Sequence, residues 1–166
     1  MVMQEILSNI EIDQKINRLG HQLLENCFEE KEIFIGGIIG NGAELARRLT
    51  KIITENSDLS VHLFEIQLNK SQPWSEEIKF STEKQNLENG FIVLVDDVLN
   101  SGKTMQYALT EILAFPTKAI KTVALVDRKH RRFPIKADFV GLSLSTTLKE
   151  RVEVDLSKEQ QKAYLI

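Results

Sequence analysis

Apolar residues recur along the chain with two spacings, and each spacing predicts a type of secondary structure. From Ile12 to Cys27 the steps are three and four residues, which indicates an amphipathic helix over about 12–29. Similar spacing predicts helices over about 43–56 and 105–115. Short apolar runs predict strands, which lie at about 33–39, 61–68, 91–95, 119–126, 138–144 and 151–156.

Strands and helices alternate in this order, so we expect an α/β fold with a mostly parallel central sheet flanked by helices. The chain has 166 residues. A domain of that size buries roughly 70% of its unfolded surface, which is enough to cover both faces of a sheet. We therefore expect a single domain over 1–166.

The most informative stretch is the apolar run at 91–95, which is followed directly by Asp96 and Asp97. Open α/β sheets place ligands at the carboxyl ends of their strands, so both carboxylates are expected at a ligand site. The acids could instead cap the following helix, but an N-cap uses one side chain and leaves the adjacent acid unexplained. Asp96 and Asp97 are therefore the candidate catalytic residues.

A loop of small and polar residues continues from this pair and runs into a predicted helix. Its hydroxyls and closely spaced backbone N–H groups suit a phosphate at a helix N-terminus. A nucleoside triphosphatase loop would need a glycine five positions before the Gly102-Lys103 pair, and Asp97 stands there instead. The candidate phosphate-binding residues are Asn100, Ser101, Gly102, Lys103 and Thr104.

A second strand, loop and helix arrangement lies at 33–56. Its loop is rich in glycine, which lets backbone N–H groups approach an oxygen-rich anion, although a plain turn has the same composition. The loop residues are Ile39, Gly40, Asn41 and Gly42.

Five of the nine residues from 128 to 136 are Arg or Lys, in a chain whose formal net charge is −3. Such a patch attracts the phosphates of a small ligand or of RNA, and a solvated loop is the alternative. Phe133 is the single aromatic residue in this segment, which gives little support for stacking on single-stranded RNA. The base-side or RNA-side candidates are Arg128, His130, Arg131, Arg132 and Phe133.

Charge and cysteine content limit the remaining classes. Lys plus Arg number 21 and Asp plus Glu number 24, so the whole molecule has no bulk attraction for nucleic acid or anionic membrane. The one cysteine, Cys27, excludes an intrachain disulfide and is expected to be a core thiol, because it lies on an apolar stripe. With no apolar run near twenty residues and no visible leader, we expect a cytoplasmic protein with no membrane partner.

The run from Phe91 to Thr104 resembles the signature of the type I phosphoribosyltransferases, which joins an apolar strand, paired acids and a Ser/Thr-Gly-x-Thr loop. The segment 123–141 is similar to the matching part of the bacterial pyrimidine-operon regulators, whose members are also uracil phosphoribosyltransferases. The likeness extends from 91 to about 155. Residues 33–49 are similar in pattern to that family's first strand, pyrophosphate loop and first core helix.

This resemblance implies a type I phosphoribosyltransferase fold and a reaction. Phosphoribosyl pyrophosphate, carried with Mg²⁺, would lose pyrophosphate while a nitrogen of a nucleobase bonds to the ribose, which gives a nucleoside monophosphate. Asp96 and Asp97 would hold the ribose hydroxyls, the loop at 100–104 the 5′-phosphate, and the loop at 39–42 the pyrophosphate. Mg²⁺ binds chiefly through substrate oxygens, so no dedicated metal site in the protein is expected. Family members commonly form dimers or larger assemblies, so a homo-oligomer is implied too.

The resemblance also implies a small flexible hood over about 64–90. Family members usually carry an arginine where Asn41 stands, and an Arg-Asp-Asp-like stretch where this chain has Lys70-Ser71-Gln72. Trp74, close to that stretch, could pack over a ligand or anchor the loop.

The base is the least determined part of the expected reaction. In 6-oxopurine enzymes the position of Asn100 is usually an aspartate that accepts a proton near the purine, which an amide cannot do. Those enzymes tend to carry a lysine and an aromatic residue near Thr147 and Leu148, and this chain has neither. Uracil is the leading base. The alternatives are an RNA-binding pyrimidine-operon regulator or nucleotide sensor with weak or no catalysis, and a salvage enzyme for hypoxanthine, guanine or xanthine.

Overall fold

A computed structural model of the chain describes residues 3–147, 150–157 and 159–166. The helices are α1 Asn9–Cys27, α2 Asn41–Asn56 and α3 Lys103–Ile112, and the strands are β1 Gln4–Leu7, β2 Glu32–Ile38, β3 Ser60–Gln67, β4 Lys79–Phe80, β5 Phe91–Leu99, β6 Ala119–Asp127, β7 Phe139–Ser143, β8 Val152–Asp155 and β9 Lys162–Leu165. A short 3-10 helix, Lys84–Leu87, precedes β5.

Six strands form the central sheet, in the order β4-β3-β2-β5-β6-β7. All neighbours in this sheet are parallel except β3 and β4, which are antiparallel. Helices α1 and α2 pack on one face around Leu19, Leu45 and Leu49, and α3 covers the other face with Met105 and Ile112. The predicted α/β fold with a mostly parallel sheet is confirmed.

A second sheet joins the two ends of the chain. It is antiparallel, has the order β1-β9-β8, and packs its buried residues Val154 and Ala163 against the core on the side of α1 and α2. The strand predicted at 151–156 therefore exists as β8 but does not join the central sheet. Strands β1, β9 and β4 were not predicted; each has four residues or fewer, too few to show a clear alternation.

The segment 64–90, where we expected a hood, contains the end of β3, the edge strand β4 and the 3-10 helix. Its remainder is loop, and the stretch around 69–74 lies at the carboxyl end of the central sheet. Part of the expected hood is thus an edge of that sheet.

Helix α1 begins earlier than predicted because Ser8 caps it. The Ser8 side chain accepts a hydrogen bond from the Glu11 N–H, and the Glu11 carboxylate accepts one from the Ser8 N–H. Cys27 at its end is buried, with 1% exposure, which confirms the prediction of a core thiol. Burial is the main cause that raises the pKa of Cys27 to about 11, and the charge of the nearby Glu30 acts in the same direction. Among the described residues, no helix is both long and apolar enough to span a membrane.

The central sheet places three strand ends side by side. Strand β5 lies between β2 and β6, with Gly37 opposite Val95 and Leu99 opposite Asp127. The loops that follow these strands, at 39–42, 100–104 and 128–136, therefore meet at one edge.

Candidate active site

Asp96 and Asp97 occupy adjacent positions near the end of β5, and their surroundings differ. Asp96 is 5% exposed, and its Oδ1 accepts a hydrogen bond of 2.8 Å from the Asp97 N–H. The Asp97 side chain is half-buried, and its Oδ1 accepts a hydrogen bond of 2.8 Å from the Val98 N–H. Asp97 is therefore the more accessible carboxylate of the pair.

Burial raises the pKa of Asp96 well above its usual range, and the neighbouring Asp97 acts in the same direction. The Lys70 ammonium opposes this shift, since its Nζ lies 4.0 Å from Asp96 Oδ1. Helix α2 also begins against this carboxylate, because a Cβ on Gly42 would lie 3.0 Å from Asp96 Oδ1. A glycine at position 42 is thus a packing requirement of the site.

The loop at 100–104, which we call the cradle, closes β5 onto α3. Gly102 has φ +89° and stands at the N-cap of α3, a left-handed conformation that favours glycine. A Cβ at this position would also collide with the Ile135 side chain. The cradle and the end of β5 line a small cleft of about 50 Å³, whose walls are Asp96, Val98, Leu99, Asn100, Ser101, Gly102, Lys103, Thr104 and Met105.

Lys103 links the cradle to the loop after β3. Its Nζ donates a hydrogen bond of 2.9 Å to the Ser71 carbonyl and lies 5.9 Å from the centre of the Trp74 ring. Trp74 in turn lies 6.0 Å, between ring centres, from Tyr107 of α3. Of the two roles considered for Trp74, anchoring the loop matches these contacts.

The Asn41 side chain binds another part of the protein. Its Nδ2 donates a hydrogen bond of 2.7 Å to the Val154 carbonyl, and its Oδ1 accepts one of 3.2 Å from the Leu156 N–H. This amide therefore connects the start of α2 to β8. The part of the loop at 39–42 that is left to bind an anion is therefore its backbone. Gly40 in this loop has φ +93°, and the Ile39 side chain is 36% exposed.

Two members of the basic segment turn toward the segment after β7. Arg128 donates from Nε to Thr146 Oγ1 at 2.7 Å and from Nη2 to the Thr147 carbonyl at 3.1 Å. His130 Nε2 lies 2.6 Å from the Thr146 carbonyl oxygen. The adjoining Leu148 lies outside the described residues.

Arg128 also approaches the cradle. Its Nη1 lies 3.4 Å from Asn100 Oδ1, and because a guanidinium only donates hydrogen bonds, it faces the amide oxygen and not the amide nitrogen. This contact joins Asn100, the first residue of the cradle, to the basic segment.

The remaining basic-segment candidates contact the cradle from behind. Arg131 makes four hydrogen bonds within the protein, whereas the Arg132 side chain is exposed. The N–H groups of Arg132 and Phe133 both donate to the Ser101 carbonyl, at 2.8 and 3.1 Å. The structure thus brings the Arg131 side chain to the cradle and leaves the Arg132 side chain facing outward.

Sequence reasoning missed two residues near the site. Asp127 follows the apolar run of β6 just as Asp96 follows that of β5, so the same strand-end argument could have found it. Lys70 gave no such signal, because its approach to Asp96 depends on the path of a loop. Among the described residues, no cluster of three or more His, Cys, Asp or Glu side chains could hold a metal ion.

Comparison with known proteins identifies the family. Residues 3–156 match the phosphoribosyl transferase domain family. The chain belongs to this family. Two relatives, both called bifunctional protein PyrR, extend the match over nearly the whole chain. The one from Haemophilus ducreyi is 36% identical over 164 residues, which cover 92% of this chain and 89% of the relative. The one from Herpetosiphon aurantiacus is 34% identical over 166 residues, which cover 95% and 92%.

Solved structures of more distant proteins show the same fold. A hypoxanthine phosphoribosyltransferase from Trypanosoma cruzi superposes with a TM-score of 0.76 at 13% identity and covers 96% of this chain and 95% of its own. A hypoxanthine-guanine phosphoribosyltransferase from Bacillus anthracis gives a TM-score of 0.71 at 19% identity, with coverage of 86% and 82%. At these identities the likeness concerns the fold alone.

Proposed function

We propose that the chain binds phosphoribosyl pyrophosphate with Mg²⁺ and transfers its phosphoribosyl group to uracil, with release of pyrophosphate. The observation that carries this proposal is that Asp96 and Asp97 lie near the end of one buried strand, with Asp96 in the wall of the cleft that the cradle forms. A sugar phosphate needs both parts, a hydroxyl-binding acid and a set of N–H donors for the phosphate, and they must be a few ångströms apart.

The carboxylates suit the sugar for a chemical reason. Loss of pyrophosphate leaves the ribose with cationic character, and negative charge beside it stabilises the transition state more than the ground state. Asp97, the more accessible acid, would accept a hydrogen bond from one ribose hydroxyl. Asp96, which is buried next to Asp97, would accept a hydrogen bond from the other ribose hydroxyl, with the ribose lying over the end of β5.

Mg²⁺ would enter with the substrate. This cation keeps several waters and would bind chiefly through substrate phosphate oxygens, so it needs no dedicated site in the protein. The bound ion would offset the charge of the diphosphate. The backbone N–H groups at 39–42 would lie beside the pyrophosphate, and the Lys70 ammonium, 4.0 Å from Asp96, would add positive charge there.

Support for uracil comes from the relatives and from Asn100. The relatives are called bifunctional protein PyrR, and the pyrimidine-operon regulators that this sequence resembles are also uracil phosphoribosyltransferases. The amide of Asn100 cannot accept a proton from a purine nitrogen as a carboxylate can. The purine enzymes among the structural neighbours share the fold at low identity. Transfer to uracil is therefore proposed ahead of transfer to hypoxanthine, guanine or xanthine.

The test is pyrophosphate release from phosphoribosyl pyrophosphate and Mg²⁺ with a panel of uracil, hypoxanthine, guanine and xanthine. Uracil should support turnover, and Asp97→Asn should reduce kcat/KM by about a hundredfold or more, since it removes charge that acts on the transition state. Glu88→Gln removes an exposed carboxylate before β5 and should have no effect. Turnover with a purine alone would contradict the proposed base, and no turnover with any base would contradict the activity.

An RNA-binding regulator is the second candidate, because Lys129, Arg132 and Lys136 remain directed to solvent as a basic group. Arg131 is a poor probe of this function, since its guanidinium is occupied within the protein. Arg132→Ala is the appropriate variant. Salt-sensitive binding of a pyrimidine-leader RNA that weakens in Arg132→Ala and persists in Asp97→Asn would favour the regulator.

We also expect the protein to act in the cytoplasm and to assemble as a homo-oligomer. A buried single cysteine suits a reducing compartment. The oligomeric state can be measured by sedimentation of the purified chain.

A further inference from the structure

We infer that Arg131 is the positioning residue of the phosphate cradle: it fixes the cradle from behind and does not itself contact the ligand. This inference rests on the proposed function, since it concerns the 5′-phosphate site of the same reaction. The observation behind it is a single guanidinium that joins three separate parts of the chain.

The first part is the cradle itself. Arg131 Nη1 donates a hydrogen bond of 2.8 Å to the carbonyl of Asn100, the residue at which the cradle begins. The Asn100 carbonyl shares one planar trans peptide group with the Ser101 N–H, so a fixed carbonyl also fixes the direction of that N–H. The N–H groups that follow, at 101–104, are the ones proposed to meet the phosphate.

The second part is the end of β6. Arg131 Nη2 contacts both carboxylate oxygens of Asp127 at 2.8 Å, and Asp127 is 7% exposed. Asp127 lies opposite Leu99 in the central sheet, so this ion pair ties the guanidinium to the end of β6 in that sheet. Its Oδ1 also accepts a hydrogen bond of 2.8 Å from the Lys129 N–H.

The third part is the wall of the cradle. Arg131 Nε donates a hydrogen bond of 2.8 Å to the Ile135 carbonyl, and the Ile135 side chain packs directly against Gly102. Arg131 therefore holds the residue that limits where Gly102 can lie. With the Arg132 and Phe133 N–H groups on the Ser101 carbonyl, the segment 131–135 forms a support under the cradle.

Arginine is the side chain that can make this set of contacts. Its planar guanidinium presents donors in fixed directions, while a lysine ammonium is a single charge on a flexible chain. A lysine at 131 could keep the charge beside Asp127 but could not also bind the carbonyls of Asn100 and Ile135. The role is thus one of geometry more than of charge.

The test measures two ligands on the full chain by calorimetric titration: ribose 5-phosphate, which needs the cradle, and magnesium pyrophosphate, which does not. Arg131→Ala should weaken ribose 5-phosphate binding about tenfold, which corresponds to about 1.4 kcal/mol, and leave magnesium pyrophosphate binding unchanged. Arg131→Lys should restore only part of the loss. Asp127→Asn, which releases the guanidinium from β6, should change binding in the same direction as Arg131→Ala.

Lys51→Ala is the charge-matched control, because it removes one positive charge at an exposed position of α2, outside the site and the basic segment. It should bind both ligands like the wild type. Equal binding of ribose 5-phosphate by the wild type and a folded Arg131→Ala would overturn the inference, as would an equal loss of both ligands. If Arg131→Ala does not fold, Arg131→Lys and Asp127→Asn decide by the same criterion. A wild type that binds magnesium pyrophosphate but no ribose 5-phosphate would contradict the proposed cradle itself.

Discussion

The Asp96 carboxylate lowers the stability of the ligand-free protein, although the same group is proposed to bind the ligand. It is buried beside a second carboxylate at the end of β5, and burial favours its neutral form in the ligand-free protein. A ligand that supplies hydroxyl donors and cations would favour the charged form. The free protein therefore carries an unfavourable group that its proposed substrate would relieve.

Replacement of Asp96 by asparagine should stabilise the ligand-free protein and reduce its activity. The folded-state pKa lies above the reference value of 3.8, so wild-type stability falls as pH rises from that value through the folded-state pKa. Asparagine keeps an oxygen for the Asp97 N–H and does not titrate. The Tm of the variant should exceed that of the wild type by a difference that grows with pH. Each kcal/mol gained in the free energy of unfolding should raise the Tm by about 2–4 °C.

Thermal melts from pH 4 to pH 8 measure this gain. The control is Asp58→Asn, which changes a carboxylate in the loop between α2 and β3. A Tm of Asp96→Asn that stays below the wild-type value at every pH would contradict the account of a destabilising carboxylate.

Some residues of the site could be predicted from the sequence and others could not. Asp96, Asp97 and the cradle are contiguous and follow a long apolar run, so their proximity needs only one strand and one turn. Asn41 bonds to a carbonyl 113 positions away, and no local pattern carries that information. The same limit applies to the bond between Arg131 and the Asn100 carbonyl, which spans 31 positions. Arg131 was expected at a base or RNA surface.

Among the elements, the long periodic segments were predicted, whereas of the short strands near the chain ends only β8 was predicted and its pairing was not. Strands β5 and β6 have nine residues each, and their apolar runs are long enough to predict a strand. Strands β1, β8 and β9 have four residues each and gain stability from one another and from the core under α1 and α2. Tertiary packing, which single-sequence patterns do not report, decides such pairings.

Helix α2 is fixed to this second sheet through a polar network that begins at Glu44. Glu44 pairs with Arg47 and Arg48, and Arg48 donates to the Leu156 carbonyl at 2.8 Å and to Gln161. Gln161 is 5% exposed and donates to Asp13 of α1 at 2.5 Å. The network thus joins both helices to the chain end.

Glu44→Gln should lower stability in a pH-dependent way. A hydrogen bond from Arg47 is the largest factor that lowers the pKa of Glu44 from 4.5 to about 2. A lowered pKa contributes stability that is present above the unfolded value and is lost as pH falls through the folded one. The difference from the wild type should be about 1 kcal/mol at neutral pH, since the pair is partly exposed and screened.

Urea unfolding at pH 7 and at pH 3 measures this difference. It should shrink at the lower pH, and Glu55→Gln, an exposed carboxylate on the same helix, should show neither effect. A difference that grows as the pH falls would contradict the assigned direction.

For the whole molecule, function follows from the strand order. Placing β5 between β2 and β6 brings an acid pair, two glycine loops and a basic segment to one edge of the sheet. The formal net charge is −3, so an anionic substrate must be attracted by this local arrangement and not by the molecule as a whole. The central claim is that this edge is a site for a ribose 5-phosphate group.

A crystal structure of the protein with uridine monophosphate tests that claim most directly. The account predicts the phosphate within hydrogen-bond distance of the N–H groups at 101–104, and the ribose hydroxyls on the carboxylates of Asp96 and Asp97. A nucleotide bound elsewhere on the protein, or with its ribose turned away from both aspartates, would contradict it.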